Sequence, residues 1–486
     1  MSPERKIYLL DPQHIPPETI AVTFAKTSRS PLSFREIAAE LTDEKSSEFH
    51  EKWVVGYGHA SVAEHAVLHI AVENISRLAV ECLESNRLAS YTEKSTRYQK
   101  WGTEDFYIPG EIRDSLFLED YLSTVHQLLQ SYQQSLPLIK AVIAGDSPRK
   151  PDESEAAWER RIRSDYIDVC RYYLPAACLA NVGITINARA LEHALTKMLS
   201  HPLAEVRCAG EEIKAAASAV VPTLLKYAEP SAYLQTARLE LERWCSQIPS
   251  SPSHEDWCTC QWMDPQLEIR MLAGLLFPHA PATYGYSQLL EYVSTLAPAE
   301  RLALAEAALG SLGKYDIPAR ELEHSSFTFE ITLDQGAYFE LKRHRMMTQS
   351  VQAFSPHLGF AIPSAITQAG LKGEYIRVME AAAKTYQRLA SISPAVAAYV
   401  LPNAYNRRVL LTMNLRSTEH LLRLRSAPNA HFAMRRVAQC LAEKLRQRAP
   451  LLAGFMRISP LENSTRIEED YFSATAFSVK GLTDSE

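Results

Sequence analysis

Residues 323–345 read EHSSFTFEITLDQGAYFELKRHR, and residues 64–87 read EHAVLHIAVENISRLAVECLESNR. Both stretches open on Glu-His and run on with the period-two alternation of a half-buried strand. In the later stretch Phe327, Phe329, Ile331 and Leu333 alternate with Thr328, Glu330 and Thr332. In the earlier one Leu68, Ile70 and Val72 alternate with His69 and Glu73. A short helical stretch is expected after each strand, ending on Arg87 in one case and Arg345 in the other.

Working outward, the likeness continues in order. FYIP at Phe106–Pro109 answers FAIP at Phe360–Pro363, and Leu174-Pro175 answers Leu401-Pro402. ITINARALEH from Ile184 answers LTMNLRSTEH from Leu411, and SHPLAEVR from Ser200 loosely answers AHFAMRR from Ala430. Landmarks matched in the same order indicate an internal duplication. The largest difference is an acidic-basic insertion around 145–165, expected on the surface. The Pro/Ser-rich QIPSSPSHEDW from Gln247 has connector composition. The expected organisation is a first repeat over 1–244, a linker over 245–262 and a second repeat over 263–486. The expected fold class is α+β, with a mixed sheet and long helices in each repeat. The tail from Leu461 reads as disordered or as a packed arm.

Composition narrows the function classes. The 486 residues carry a net charge of -6, with 46% hydrophobic and 22% charged residues, which argues against a polyanion-binding or membrane-surface protein. The first residues, MSPERKIYLLDPQ, lack a signal-peptide core, and no apolar run reaches the roughly 18 residues of a membrane span. The eight cysteines are scattered and read as reduced thiols, which implies a cytoplasmic protein. Cys245, His254, Cys258 and Cys260 could ligate a metal, but the Cys-x-Cys spacing has no second pair. No metal site is expected.

RHR at Arg343–Arg345, about twenty residues after a Glu-His, resembles the signature of the flavin-dependent thymidylate synthases, whose loop reads approximately RHRxxSxNExSxRY. The first repeat matches its second half, with Ser90, Glu93, Ser95, Arg97 and Tyr98; the second repeat matches its first half. In the first repeat the RHR positions read Ser85-Asn86-Arg87. In the second, Val351, Ala353 and Ser355 fall where Glu, Ser and Arg are expected, and Ala398 stands where the first repeat has Arg171. The losses are complementary.

The resemblance implies roles residue by residue. Ser95, Arg97 and Arg171 would grip a nucleotide phosphate, a task for permanently charged bidentate donors. Arg425 and Glu340 would meet the substrate. Ser95, Glu93 and Arg345 would serve catalysis, with Ser95 read as a phosphate ligand rather than a nucleophile. His59, Ser61, Arg343, His344, Arg345, Asn414, Arg416, His420 and His431 would meet FAD. Pro318 replaces the His59 position in the second repeat, and His193 parallels His420. Methylene-tetrahydrofolate and NADPH would be cosubstrates, and the product a methyl group at C5 of a uracil nucleotide. The family's sites lie between subunits, so a homodimer forming a pseudo-tetramer is expected, with two complete and two degenerate sites. Glu340 stands where the family commonly has Gln. A carboxylate accepts but, when ionised, does not donate, so either the base, its modification state or the sugar differs from dUMP, or Glu340 only pairs with a neighbouring arginine. Two alternatives stay open: a catalytically silent flavin- or nucleotide-binding relative, and a folate-independent nucleotide modification.

Overall fold

The computed structural model describes residues 6–56, 60–249 and 256–475. The chain forms two compact units. Unit 1 comprises 1–95, 105–118 and 177–251; unit 2 comprises 96–104, 119–176 and 252–486. The units part at 251/252, inside the expected 245–262 connector, and also at points within the first repeat. Two stretches of the first repeat are built into unit 2.

Unit 1 holds a three-stranded antiparallel sheet of β1 (Val67–Ser76), β2 (Ala89–Glu93) and β3 (Leu179–Asn187), in the order β1-β3-β2. Leu68 and Ile75 of β1 are buried, whereas His69 and Glu73 face water. Helices Ala188–Leu199 and Ala204–Ser218 pack against each other.

Unit 2 repeats this plan and extends it. Strands β4 (Cys258–Met263), β5 (Ser326–Asp334), β6 (Thr348–Val351) and β8 (Asn406–Asn414) run in the order β4-β5-β8-β6. The order β5-β8-β6 is the counterpart of β1-β3-β2. Strand β7 (Ile362–Pro363) pairs with β9 (Phe472–Ala474). The alternation read in 327–333 is the burial pattern found: Phe327, Phe329, Ile331 and Leu333 lie in the core. Part of the presumed linker is thus the edge strand β4, whose Cys258 is buried against β5. Cys260 lies in the same strand, Cys245 is exposed at a helix end, and His254 lies outside the described residues.

Other landmarks recur as geometry. Phe106 bridges to Cys178 in unit 1 and Phe360 to Tyr405 in unit 2; next to them Tyr107 N donates to Ala177 O, and Ala361 N to Ala404 O. The helices after β1 and β5 are Arg77–Leu83 and Gln335–Leu341. Both stop four residues short of Arg87 and Arg345, so these arginines sit in the following turn and not at a helix end. Within unit 2 the two Leu-Pro landmarks pair with each other. Ala176 N donates to Leu401 O, and Asn403 N to Leu174 O. That reciprocal exchange between equivalent positions is the pattern of an isologous contact.

The first-repeat helices in unit 2 are Leu118–Asp146 and Glu155–Cys170. The second of these occupies the charged insertion; Ser154 caps it by accepting from Ala157 N. The long helix runs antiparallel to Lys372–Leu389, with Asp120 on Arg388, Thr124 on Thr385 and Ser131 on Glu374. From the tail, Ser464–Tyr471 forms a packed helix on Phe432–Arg448, and 476–486 lie outside the described residues. No helix among the described residues is long and apolar enough to cross a membrane.

Candidate functional site

Arg171 begins the short 3-10 turn Arg171–Tyr173, directly after helix Glu155–Cys170. Its guanidinium is buried in unit 2, where Nη2 donates to Gly336 O at 3.2 Å and to Glu340 Oε1 at 3.4 Å, and Nη1 to Thr96 Oγ1 at 3.4 Å. A Cβ at position 336 would meet Asp334 Oδ1 at 3.1 Å and the Arg171 guanidinium at 3.6 Å, so glycine lets the helix approach the charge. One turn before Arg171 stands Asp168, which the sequence reading missed. The signal was its i, i+3 spacing on a helix. Asp168 grips the fork of Arg97: Nε reaches Oδ1 at 2.8 Å and Nη2 reaches Oδ2 at 2.7 Å. Arg97 also donates to Asn429 O.

Glu340 comes from helix Gln335–Leu341 and is 5% exposed. Its Oε2 accepts from Arg425 Nη1 at 3.0 Å, and its Oε1 lies 3.9 Å from Arg97 Nε in addition to the Arg171 contact. Arg425, in the last turn of helix Leu415–Arg425, also donates from Nη2 to Glu340 O and from Nε to His344 Nε2 at 2.9 Å. Three guanidiniums thus face two carboxylates. Arg97 and Arg171 come from the first repeat; Glu340, His344 and Arg425 come from the second.

The protonation states follow from burial and charge. Burial pushes the His344 imidazole down to about 3, helped by Arg425, His420 and Arg343. Neutral His344 therefore accepts at Nε2 and carries its proton on Nδ1. His420 packs edge-on against it, with ring centroids 5.7 Å apart. His431 is driven well below its ordinary value by burial and then by Arg171 and Arg97. Its Nε2–H points at Asp168 O, 3.3 Å away, and its Nδ1 accepts from Ala433 N, capping helix Phe432–Arg448. Burial raises Asp168, while Arg171 and Arg97 pull it back. Burial disfavours the charge on Arg97, but the bond and charge of Asp168 outweigh it and the net shift is upward. Burial likewise lowers Arg425, with Glu340 opposing.

A cavity of about 520 Å3 opens beside Arg97, walled by Tyr98, Asp168, Asn429, Phe432 and Tyr471 among others. Its volume suits a small ligand. Phe432 stacks on Tyr471 at 5.3 Å with the planes 8° apart. Asp146, Asp165, Asp470 and Arg435 also line it. A larger groove in unit 1, about 1210 Å3, holds none of the expected site residues.

The other expected residues are placed elsewhere. Glu93 lies in unit 1 and forms a buried pair with Arg77 at 2.6 Å; Ser95, half-buried, belongs to unit 1 as well. Ser61 is exposed in unit 1, and His59 lies outside the described residues. Arg343 is exposed and Arg345 half-buried; neither lines the 520 Å3 cavity. Asn414 caps helix Leu415–Arg425 through Ser417 N, as Asn187 caps Ala188–Leu199 through Ala190 N. Arg416 binds Glu323 and Pro318 O, and Arg189 correspondingly binds Glu64. Several of the residues that the resemblance assigns to flavin are engaged within unit 2. Asn414 and His431 serve as caps, Arg416 is held in an ion pair, and His344 is sealed behind Arg425. Among the described residues no group of three or more His, Cys, Asp or Glu is placed to hold a metal ion.

A family profile described as "Thymidylate synthase complementing protein" matches residues 12–223 and 300–451. This chain belongs to that family. The two segments follow the two repeats, so the member is a duplicated and divergent one. A "UPF0159 protein" from Chlamydia muridarum is 30% identical over 435 residues, covering 86% of this chain and 82% of that protein. A flavin-dependent thymidylate synthase from Clostridium tetani is 29% identical over 218 residues, covering 44% of this chain and 83% of that enzyme. A solved flavin-dependent thymidylate synthase from Helicobacter pylori, complexed with FAD and dUMP, covers 42% of this chain and 100% of its own, at 22% identity and a TM-score of 0.31.

Proposed function

We propose that this family member modifies pyrimidine nucleotides, transferring a one-carbon unit to C5 of the uracil ring of dUMP or a close relative. The observation that supports it is the convergence of Arg97 and Arg171 with Glu340, His344 and Arg425, of which Arg97 lines the cavity of about 520 Å3. Guanidinium forks suit a phosphate, and the stacked Phe432 and Tyr471 offer an aromatic wall to a base. Dependence on FAD, with methylene-tetrahydrofolate and NADPH as cosubstrates, rests on the family. His344, Asn414, Arg416 and His431 are engaged within unit 2, and we assign the cofactor a site shared with a second copy in a homodimer, as in the family.

A second reading is a catalytically silent nucleotide-binding relative. It is favoured by the loss of Glu93 to a buried pair with Arg77 and by the carboxylates already seated on the arginines. Two measurements separate the readings. Calorimetric titration with dUMP is expected to show binding that Arg97→Ala and Arg171→Ala weaken; no binding removes both. Tritium release from 5-tritiated dUMP, with methylene-tetrahydrofolate, NADPH and FAD, is expected for the enzyme. Binding without release leaves the silent relative, whereas release from a different uracil nucleotide redefines the substrate.

A further inference from the structure

We propose that Glu340 is a specificity-determining residue that holds the anion position of the arginine cluster, so that a phosphate-bearing ligand binds by displacing its carboxylate. The inference deepens the nucleotide reading and rests on it for the identity of the natural ligand. Glu340 faces all three guanidiniums, at 3.0 Å from Arg425, 3.4 Å from Arg171 and 3.9 Å from Arg97. Three guanidiniums gathered without a counter-charge, Arg171 buried and Arg97 and Arg425 part-buried, would be strongly unfavourable. A carboxylate among them offers the same charge and acceptor geometry as two oxygens of a phosphate.

Each arginine also has an acceptor that does not depend on the Glu340 carboxylate. Arg425 holds His344 Nε2 and the Glu340 backbone carbonyl, Arg171 holds Gly336 O and Thr96 Oγ1, and Arg97 holds Asp168 and Asn429 O. The cluster thus keeps its shape when the carboxylate turns away, as an exchangeable counter-ion requires. The first repeat provides the contrast. Three residues before Ser85 stands Cys82, at the place corresponding to Glu340, and there the nearby cation is Lys197. The carboxylate occurs in the repeat where the arginines converge.

The test uses the full chain and inorganic phosphate as probe, with dUMP in parallel. Glu340→Gln keeps the shape and an acceptor for Arg425 but removes the charge. It is expected to bind phosphate at least about tenfold more tightly than wild type, a gain of about 1.4 kcal/mol. Its thermal midpoint is expected to climb more steeply with phosphate concentration. If Glu340→Gln does not fold, Glu340→Asp, which withdraws the carboxylate by one methylene, is expected to shift affinity the same way by a smaller factor. Equal phosphate affinity in wild type and in whichever variant folds overturns the proposal. Tighter phosphate binding without dUMP turnover by wild type keeps the anion assignment and removes the enzymatic reading. Turnover with unchanged phosphate affinity does the reverse.

Discussion

The sheets of the two units are built on one plan, yet the charges beside them differ. In both units the strand after Glu-His pairs with the strand ending in Asn-x-Arg, that Asn caps the next helix, and that Arg binds the Glu of Glu-His. In both, a basic residue near the end of that helix donates to the middle position of the RHR segment. Lys197 Nζ reaches Asn86 Oδ1 at 2.9 Å in unit 1, and Arg425 Nε reaches His344 Nε2 at 2.9 Å in unit 2. There the likeness ends. Unit 1 surrounds this contact with Ser85 and Cys82, whose thiol burial pushes up to about 11. Unit 2 surrounds it with Glu340, Arg171 and Arg97. Capping and pairing are retained in both copies, while the ionic content has been concentrated in one of them by building 96–104 and 119–176 into it.

The sharpest way to break this contrast is to remove a counter-charge from unit 2. Asp168→Ala would remove the bidentate partner of the Arg97 fork and leave Glu340 as the carboxylate facing Arg97 and the buried Arg171. A loss of about 3–5 kcal/mol is expected in urea unfolding. A loss below about 1 kcal/mol would mean that the cluster is hydrated and not the sealed network described.

A smaller effect is expected from giving unit 2 the residue unit 1 uses. His344 is held neutral down to about pH 3 by burial, whereas in the unfolded chain it takes up a proton near pH 6.5. A depressed folded value means the unfolded state binds more protons between these limits, so stability is present above pH 6.5 and is lost as pH falls towards 3. The loss between pH 7.5 and 5 is roughly 2 kcal/mol from this group. Asp334, raised to about 6 by burial, drifts the other way, so the readout is a difference. His344→Asn, which keeps an acceptor for Arg425, is expected to flatten the acid-side decline by that amount in urea titrations at the two pH values. Parallel curves would show His344 to be solvated. The smallest effect is expected where the units agree: Asn187→Ala and Asn414→Ala should each cost about 1 kcal/mol through a lost helix cap, and unequal costs would show that the two scaffolds differ more than their hydrogen bonds do.

Much of the scaffold was legible in the sequence because it is local. The alternation of Phe327 to Leu333 and the repeated Asn-x-Arg depend on near neighbours and on one face of a sheet. The family signature carried Arg97, Arg171 and Arg425 to the cluster. What periodicity could not carry was the pairing of distant charges. Asp168 and Glu340 differ from other carboxylates only in what folds against them, and the ion pairs of Glu340 join it to three arginines that are all remote from it in sequence. The building of first-repeat helices into unit 2 was equally invisible, since the Pro/Ser composition at 247–257 marks the division at 251/252 but none of those within the first repeat.

The central claim is that charges from the two repeats form one network. Double-mutant analysis of Arg171→Met and Glu340→Gln, 169 residues apart in sequence, tests it most directly by urea unfolding of the single and double variants. The account predicts a coupling above about 1 kcal/mol, because removing either partner strands the other. Additivity within about 0.5 kcal/mol, with all variants folded, would contradict it.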